Sequence, residues 1–585
     1  MFRTPRRSAL LALVATVGIL VAACGGGASP TPAPSAAASA APSVAPSEAP
    51  SAAPYTGLTY PETGTVDCTA KTFNGKAYTG EIKQIKAIDA KTVEFTLCTP
   101  DAAFLQKVAM AMFPINDTAY LEKAVADGSI LEKPNGTGPY IVKEWVKGDH
   151  ITLVANPTYW GPNKPKVATV IVKWSAEAAQ RLVELQSGNV DGIDNVGPTD
   201  FDTVKNDTTL QLIPRTALNI FYIGMSNAYA PFDNEKVRQA VAMAIDRDRI
   251  VKNFYPTGST VAQYFTPCEV PGGCEGDAWY TFDPAAAKKL LADAGYADGF
   301  KTTIHLRDVV RSYLPQPKVV AADIQAQLKA NLNVDATIDV QESGTFIDNA
   351  GGGKLDGIHL LGWNADYPDV TNFLDYHFGG GSSPQFGAHY DDVVAALAKG
   401  ASTADVAARA AAYKEANDLI KQHVPMIPVA HGGSAVAFKA DVTGAHSSPL
   451  GDEYFAVMQP ADRTQLVWLQ NGEPAGLYCA DEEDGEAIRV CDQVNEALYQ
   501  FKIAGTDAEP GLAKACTPNT DLTVWTCTLQ DNVTFADGAG LDANDVVESY
   551  AVVWDAANPL HKGRTGNFTY FSALWGGFLN PPPAE

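Results

Sequence analysis

The sequence lacks the short signatures of secreted serine hydrolases and zinc proteins. It contains no G-x-S-x-G nucleophile elbow, no H-E-x-x-H motif and no C-x-x-C pair, and its nine histidines are scattered. Basic residues are also in the minority, since 43 Lys and Arg stand against 67 Asp and Glu and the formal charge is −24. No basic patch interleaved with aromatic residues is visible. These absences argue against a hydrolase and against a nucleic-acid partner, and we expect no metal and no cofactor.

What the chain does contain is enough apolar sequence for a large folded body. It has 585 residues, of which 46% are hydrophobic, which predicts two or three domains. Val93–Leu97 alternates like a half-buried strand, and Val167–Val172 is a β-branched strand. Ala103–Met112 and Glu235–Asn253 are predicted helices, and so is Pro284–Ala294, with Asp283 as its N-cap. Strands that alternate with helices over several hundred residues indicate an α/β fold.

The N-terminus has the pattern of an exported lipoprotein. Residues 1–23 combine a basic start with an apolar run, which predicts a signal peptide. The segment Leu20–Cys24 resembles the bacterial lipoprotein processing site, so we expect Cys24 to carry the lipid. The remainder of 24–54 is almost entirely Gly, Ala, Ser and Pro, and it is predicted to be a disordered linker.

The cysteine count fits an oxidising compartment. With Cys24 set aside for lipid, the other eight of the nine cysteines form an even set of closely spaced couples. Nearest-neighbour disulfides are one hypothesis among many connectivities, and metal binding is the competing one. The nearest-neighbour couples are Cys68/Cys98, Cys268/Cys274, Cys479/Cys491 and Cys516/Cys527.

The stretch Leu361–Leu374 draws attention because a strand must end within it. Pro368 lacks an N–H and pushes Tyr367 toward extended geometry. Trp363 and Asp366 are therefore predicted at a strand end, where open α/β sheets place ligand contacts. The alternative is a simple turn with a solvated Asp366 and a core Trp363.

Several segments resemble the family 5 extracellular solute-binding proteins, the peptide- and nickel-type receptors of ABC importers. The similarity covers most of residues 80–454 in the order usual for the family. The segments that carry it are Gly136–Tyr140, Glu144–Trp145, Asn156–Gly161, Leu185–Gly188, Pro231–Asp233, Val237–Ala240, Ala244–Arg247, Asp283–Tyr296 and Val424–Pro428.

The order of the family's motifs is broken at one place. The strand, hairpin and helix with which the family begins are similar to segments near the far end of this chain, at Trp525–Leu529, Asn532–Gly538 and Asp545–Ser549. Each piece occurs once, which predicts a circular permutation of the scaffold. The alternative is a complete domain fused to a truncated second copy. If the permutation is correct, Leu466–Leu469 should pair into the sheet formed by strands between residues 144 and 220.

The resemblance implies a two-lobe, class II periplasmic-binding-protein-like α/β fold, with a hinge and a cleft between the lobes. The expected organisation places residues 55–220 in the first part of lobe I and 221–427 in lobe II. Residues 428–585 form the second part of lobe I and include the permuted segment 465–578. The chain crosses between lobes near residues 221–224 and 425–430.

The resemblance also implies the ligand contacts. Asp366 matches the acid that pairs with a peptide α-ammonium, and a buried carboxylate requires such a partner. Trp363 would offer flat apolar area, and the neighbouring Tyr367 is a further candidate. Tyr222 and Asn227, just after the first crossing, are weaker candidates.

The expected function is capture of a small solute, a peptide before others, and its delivery to the permease subunits of an ABC transporter. We expect a monomer held by its N-terminal lipid on the outer face of the cytoplasmic membrane, and no catalysis. Nickel complexes, oligosaccharides and opines are alternative ligands for the same scaffold. A secreted hydrolase using His431–Ser434 as an oxyanion loop and a ligand-free lipid-anchored adhesin are the alternatives from other classes.

Overall fold

The structure is a computed structural model that describes residues 55–581. The predictions of a signal peptide at 1–23, of a lipidated Cys24 and of a linker up to residue 54 lie outside the described residues. Three large sheets organise the described part, and each has its own apolar core. We call them the five-stranded, seven-stranded and six-stranded bodies. None of the helices within 55–581 is both long and apolar enough to span a bilayer.

The five-stranded body joins the two ends of the described chain in one antiparallel sheet. Val93 and Phe95 alternate with half-buried neighbours and point into a core shared with Trp525 and Cys527, as the period-2 pattern of Val93–Leu97 predicts. In spatial order the strands are Thr59–Tyr60, Ile82–Asp89, Thr92–Leu97, Val524–Leu529 and Ala513–Pro518.

The seven-stranded body mixes strands from three parts of the sequence. Gln465–Gln470 lies in its interior, parallel to Thr169–Trp174 on one side and to Gly192–Ile193 on the other. The predicted pairing of Leu466–Leu469 into this sheet is therefore confirmed. In spatial order the strands are Leu210–Arg215, Ser434–Lys439, Gly192–Ile193, Gln465–Gln470, Thr169–Trp174, His150–Ala155 and Tyr140–Val146.

The six-stranded body is connected to the seven-stranded body by two short crossings. Residues 216–218 link Arg215 to the strand Asn219–Met225, and residues 432–433 link the strand Met426–His431 to Ser434. The crossings lie a few residues from the predicted positions. In spatial order the strands are Thr260–Val261, Met426–His431, Asn219–Met225, Ile358–Asn364, Lys301–Arg307 and Asp335–Gln341.

The helices cover the faces of these sheets. Asp283 caps its helix by accepting hydrogen bonds from the backbone N–H groups of Ala285 and Ala286, as predicted. The helices are Phe104–Lys107, Thr118–Asp127, Ala178–Ser187, Phe201–Asn206, Glu235–Ala244, Arg247–Phe254, Pro284–Asp293, Pro317–Leu332, Ser343–Gly351, Leu374–Phe378, Asp391–Ala401, Val406–His423, Gly485–Val494, Ala543–Trp554 and Thr569–Trp575.

Two predicted helices differ from the structure. The predicted Glu235–Asn253 is two helices, because Ile245 is extended and the Asp246 carboxylate caps a new helix by accepting from Arg249 N–H. The predicted helix Ala103–Met112 contains only one helical turn, Phe104–Lys107. The apolar residues that follow this turn are buried in the core although they are not helical.

The two ends of the described chain meet at one side chain. Tyr60 Oη donates to Asp555 Oδ2 over 2.7 Å, and Asn580 Nδ2 donates to Asp555 Oδ1 over 3.0 Å. Tyr60 and Asn580, which lie five residues and one residue from the two described ends, are therefore neighbours at one side of the five-stranded body.

Four disulfides join neighbouring cysteines. Their Cα–Cα distances lie between 4.0 and 5.8 Å. Cys516–Cys527 links two neighbouring strands of the five-stranded sheet, and Cys479–Cys491 ties a helix to the turn that precedes it. The other two are Cys68–Cys98 and Cys268–Cys274.

Candidate ligand-binding cleft

A cavity of about 770 Å³ lies where the chain crosses between the seven-stranded and six-stranded bodies. One wall comes from residues 194–198 and from the start of the helix Gly485–Val494. The facing wall comes from Val310–Ser312 and Asn364–Ala365, and the crossings supply Leu218 and Gly433 at its base. The volume falls in the range of small-molecule binding sites, so this is the candidate ligand-binding cleft.

Four charged residues at the first wall neutralise one another. Arg489 donates to Asp194 over 2.8 Å and to Glu453 over 2.9 Å, and Arg215 donates to the same two carboxylates over 2.8 and 2.7 Å. Asp194, Glu453 and Arg489 are almost fully buried. Burial alone would raise the pKa of Asp194, but Arg489 and Arg215 hold that pKa at about 2. This closed ring carries no net charge and fixes Arg215 at the start of a crossing.

A further charged residue on that wall, Arg181, already has all of its hydrogen bonds within the protein. Its guanidinium donates to the carbonyl oxygens of Ser175, Ala176, Asp194 and Asn195 over 2.7–3.0 Å, and it is 3% exposed. Such a side chain braces the loop before its helix instead of reaching toward a ligand.

Arg311, on the facing wall, is the cation that remains available. It is exposed, and its one hydrogen bond goes to the carbonyl oxygen of Val310 over 3.0 Å. No acid within residues 55–581 forms an ion pair with it. Sequence reasoning missed Arg311, although it follows the strand Lys301–Arg307 and precedes a Pro-rich turn, which is the same strand-end signal that identified Trp363.

The stretch around Asp366 is organised by Asn372, a residue that sequence reasoning also missed. Asn372 is 1% exposed, and its Oδ1 accepts from Trp363 Nε1 over 3.1 Å and from Asp366 N–H over 2.9 Å. Its Nδ2 donates to Asp366 Oδ2 over 3.0 Å. Trp363 ends the strand Ile358–Asn364 and stacks on Tyr376, with 4.4 Å between ring centroids. Asn372 thus fixes the predicted acid and the predicted aromatic in one arrangement.

Asp366 has no cationic partner among the described residues. Burial raises the pKa of its carboxyl to about 6, although the hydrogen bond from Asn372 works in the opposite direction. His377 lies 5.0 Å from Trp363 between ring centroids, and burial lowers the pKa of His377 to about 4. It therefore supplies no positive charge at neutral pH. The Asp366 carboxyl therefore has no positive charge from the described residues to balance it when it ionises.

Tyr570 approaches the same region from the far end of the sequence. Burial raises the pKa of its hydroxyl, and the negative charges of Asp366, Glu483 and Asp484 raise that pKa further. Asp366 and the start of the helix Gly485–Val494 therefore act on one hydroxyl group. Nothing in the local sequence of the helix Thr569–Trp575 indicated that Tyr570 lies near these acids.

The other three predicted contacts are structural in this conformation. Tyr367 is 5% exposed and packs into the core of the five-stranded body, and its hydroxyl pairs with Thr371 Oγ1 over 3.0 Å. Tyr222 is 1% exposed, and its hydroxyl accepts from Gln385 over 2.6 Å inside an aromatic cluster. Asn227 holds the backbone of Ala388 through two hydrogen bonds. Each has its polar group paired with another residue of the chain and none lines the cavity, so their contact with a ligand stays a prediction.

No group of three or more His, Cys, Asp or Glu side chains within residues 55–581 is arranged to hold a metal ion. His431 and Ser434 do not form a catalytic pair either. His431 is buried and its Nδ1 bonds to the carbonyl oxygen of Asn219 over 2.6 Å. The segment His431–Ser434 is the second crossing, not an oxyanion loop.

Comparison with known proteins places this geometry in a family. The profile of the bacterial extracellular solute-binding proteins, family 5 Middle, matches residues 39–385 and 507–570. The di/tripeptide-binding protein 1 of Pseudomonas aeruginosa is 32% identical over 379 residues, which cover 63% of this chain and 70% of that protein.

Solved structures agree with this match. HbpA2 from Haemophilus parasuis is 30% identical with a TM-score of 0.61, over 65% of this chain and 76% of that one. The periplasmic binding protein DppA from Helicobacter pylori, in complex with the peptide STSA, is 28% identical with a TM-score of 0.52 over 63% and 72%. The fold is that of the periplasmic binding proteins, and the chain belongs to the family 5 bacterial extracellular solute-binding proteins.

Proposed function

We propose that the protein captures short peptides in the cleft and delivers them to the permease subunits of an ABC importer. The observation that carries this proposal is a pair of charges without a charged partner: Arg311 lines the cleft, and Asp366 follows Ala365, the last residue of that lining segment. Trp363, beside Asp366, forms an apolar platform with Tyr376. A short peptide presents a carboxylate and an ammonium at its two ends, so it satisfies both charges at once. The di/tripeptide and STSA-peptide relatives support the same ligand class.

Other small solutes are the second candidate. Nickel complexes, oligosaccharides and opines remain alternatives from the resemblance. Neutral oligosaccharides require neither charge, whereas opines, as amino-acid derivatives, also present carboxylates and an amine. Mass spectrometry of what is released from gently purified protein separates these classes directly.

Arg311→Ala is expected to weaken binding of Ala-Ala-Ala by tenfold to hundredfold. A charge-assisted hydrogen bond in a desolvated cleft contributes about 1.5–3 kcal/mol, which corresponds to that range. Isothermal titration of ligand-free protein measures the effect. The amide Ala-Ala-Ala-NH₂, which lacks the carboxylate, should bind the unmodified protein as weakly as Ala-Ala-Ala binds the variant.

Lys288→Ala is the matched control, because Lys288 is an exposed cation on the same body but does not line the cleft. It should leave affinity unchanged within twofold. Equal binding of Ala-Ala-Ala by the protein and by Arg311→Ala would remove the carboxylate site. If none of the tested peptides binds, the proposed function is refuted.

We also propose that the bodies work as two lobes. The five-stranded and seven-stranded bodies form lobe I, from residues 55–215 and 434–581, and the six-stranded body, residues 219–431, forms lobe II. Closure is a rotation about the crossings at 216–218 and 432–433. In support, the cleft lies at these crossings and the ring that holds Arg215 gives one of them a fixed base.

A circular permutation of the family's order accounts best for the segment 465–578. Two observations support it. Gln465–Gln470 and Val524–Leu529 are interior strands of two different sheets, and the two described ends meet at Asp555. A truncated second copy would form its own sheet instead.

The protein is proposed to act as a monomer at the outer face of the cytoplasmic membrane, anchored by lipid on Cys24. Cys24→Ser should therefore move nearly all of the protein from the membrane fraction to the soluble fraction. Fractionation with immunoblotting measures this, and mass spectrometry of the N-terminal peptide should detect diacylglycerol on Cys24. Ser29→Ala, a change five residues away, should remain in the membrane fraction. A mature chain that still begins at Met1 without lipid would refute the anchor.

A further inference from the structure

The acidic run at the start of the helix Gly485–Val494 has more carboxylates than the fold uses. From sequence alone, Glu482, Glu483 and Asp484 resemble a solvated acidic face, but the structure divides the run. Asp481 accepts from the backbone N–H groups of Thr565, Gly566 and Phe568 and from the Thr565 hydroxyl. Glu482 is 1% exposed and pairs with Arg564 over 2.8 Å. Asp484 caps the helix by accepting from Ala487 N–H over 2.7 Å.

Glu483 and Glu486 are the two carboxylates left over. Neither forms a hydrogen bond or an ion pair through its side chain with any residue of the described part of the chain. Both line the cleft, on the wall opposite Arg311. A third acceptor lies on this wall, since Asn471 Oδ1 also lines the cleft, is buried and has no partner within 55–581.

The charges around the cleft do not cancel for a simple zwitterion. The ring of Arg215, Arg489, Asp194 and Glu453 is neutral, and Arg181 lies within electrostatic reach of Glu486 without contact. What remains is Arg311 against Asp366 and Glu483. A peptide whose two ends satisfy Arg311 and Asp366 therefore leaves one negative charge of this wall without a partner.

We infer that Glu483 and Glu486 recognise a basic side chain, so that the ligands are short peptides carrying one lysine or arginine. Glu483 immediately precedes the N-cap Asp484 and Glu486 lies in the first helical turn, and both line the same cleft, so their carboxylates can share the three donors of an ammonium or the five of a guanidinium. The Asn471 amide oxygen supplies a third acceptor for the same group. This inference rests on the proposed function, because it assigns the side chain of a peptide held in the same cleft.

The test compares peptides that differ at one side chain. Isothermal titration of ligand-free protein with Ala-Lys-Ala, Ala-Gln-Ala and Ala-Glu-Ala should give an affinity for the lysine peptide at least tenfold above that for the glutamine peptide. The glutamate peptide should bind more weakly than both. The double variant Glu483→Gln/Glu486→Gln should lose at least tenfold for Ala-Lys-Ala and less than twofold for Ala-Gln-Ala. Glu122→Gln/Glu415→Gln, which removes two exposed acids outside the cleft, should change neither.

The failures are distinguishable. If Ala-Gln-Ala binds and Ala-Lys-Ala binds no better, the inference is wrong while peptide capture stands. Pairing of Glu483 with Arg311 in the closed state would give this result. If the double variant loses both peptides equally, the two acids support the fold instead of reading a side chain. If none of the three peptides binds, the proposed function fails and the inference fails with it.

Discussion

Removal of residues 461–585 is expected to abolish folding instead of yielding a smaller receptor. The deletion takes an interior strand from the seven-stranded sheet and two strands from the five-stranded sheet. It also removes Trp468, Trp554 and Trp575, which are fully buried. Each such side chain contributes about 1.5–3 kcal/mol, so these three alone approach the whole stability of a typical domain. The chain 55–460 should aggregate, and circular dichroism with heating should show no cooperative transition.

The matched control keeps residues 55–581 and changes their order. A chain in which 461–581 precedes 55–460, joined from residue 581 to residue 55 by a short Gly/Ser linker, should fold cooperatively. It should bind the same peptides with affinity unchanged within about threefold, since both ends meet at Asp555. A chain 55–460 that unfolds cooperatively and binds peptide would instead support fusion to a truncated second copy.

Asp366→Asn is expected to make the protein more stable and nearly unable to bind peptide. The pKa of Asp366 is about 6 in the folded protein against an ordinary value of 3.8, because burial disfavours the charged form. The folded state therefore holds a proton that the unfolded chain releases, and stability falls as pH rises from about 4 through 6. At pH 7 the ionised carboxylate costs up to about 3 kcal/mol, which the asparagine avoids. Thermal unfolding at pH 5 and pH 7.5 measures this difference.

The same carboxylate sets a pH dependence for binding. A peptide ammonium requires ionised Asp366, so affinity for Ala-Ala-Ala should rise between pH 5 and 7, by up to tenfold per pH unit below about 6. The asparagine variant should bind at least tenfold more weakly at pH 7 and show little dependence on pH in that interval. Tyr376→Phe keeps the aromatic contact with Trp363, so as a control it should keep the pH dependence of binding. An asparagine variant with unchanged affinity would mean that Asp366 only closes a local turn.

The predictions that held depend on local rules. The alternation in Val93–Leu97 and the cap at Asp283 follow from side-chain direction and from orphan backbone N–H groups, which a short window of sequence contains. The helix break at Asp246 was also encoded locally, because aspartate is a preferred N-cap residue, and its carboxylate accepts from Arg249 N–H. The apolar pattern that continues through residues 235–253 hid this signal.

What could not be predicted depends on distant partners. Tyr222 has the local appearance of a strand residue near the cleft, and only Gln385 and the surrounding aromatic rings show that it is core. The acidic run divides into used and unused carboxylates through Arg564 and Thr565, about 80 residues away. Arg311 stands out only when the other three arginines of the cleft are seen to be committed.

The burial of Tyr367 has a consequence for the proposed closure of the two lobes. Its ring comes from the six-stranded body but packs into the core of the five-stranded body, directly after Asp366 in the sequence. A backbone hydrogen bond from Ala102 N–H to the carbonyl oxygen of Ala401 joins the same two bodies over 3.2 Å. If the proposed lobes part between these two bodies, the ring leaves apolar surroundings, at a cost of about 1.5–3 kcal/mol. The stability of the closed state would then depend on a side chain that is absent from the cleft lining.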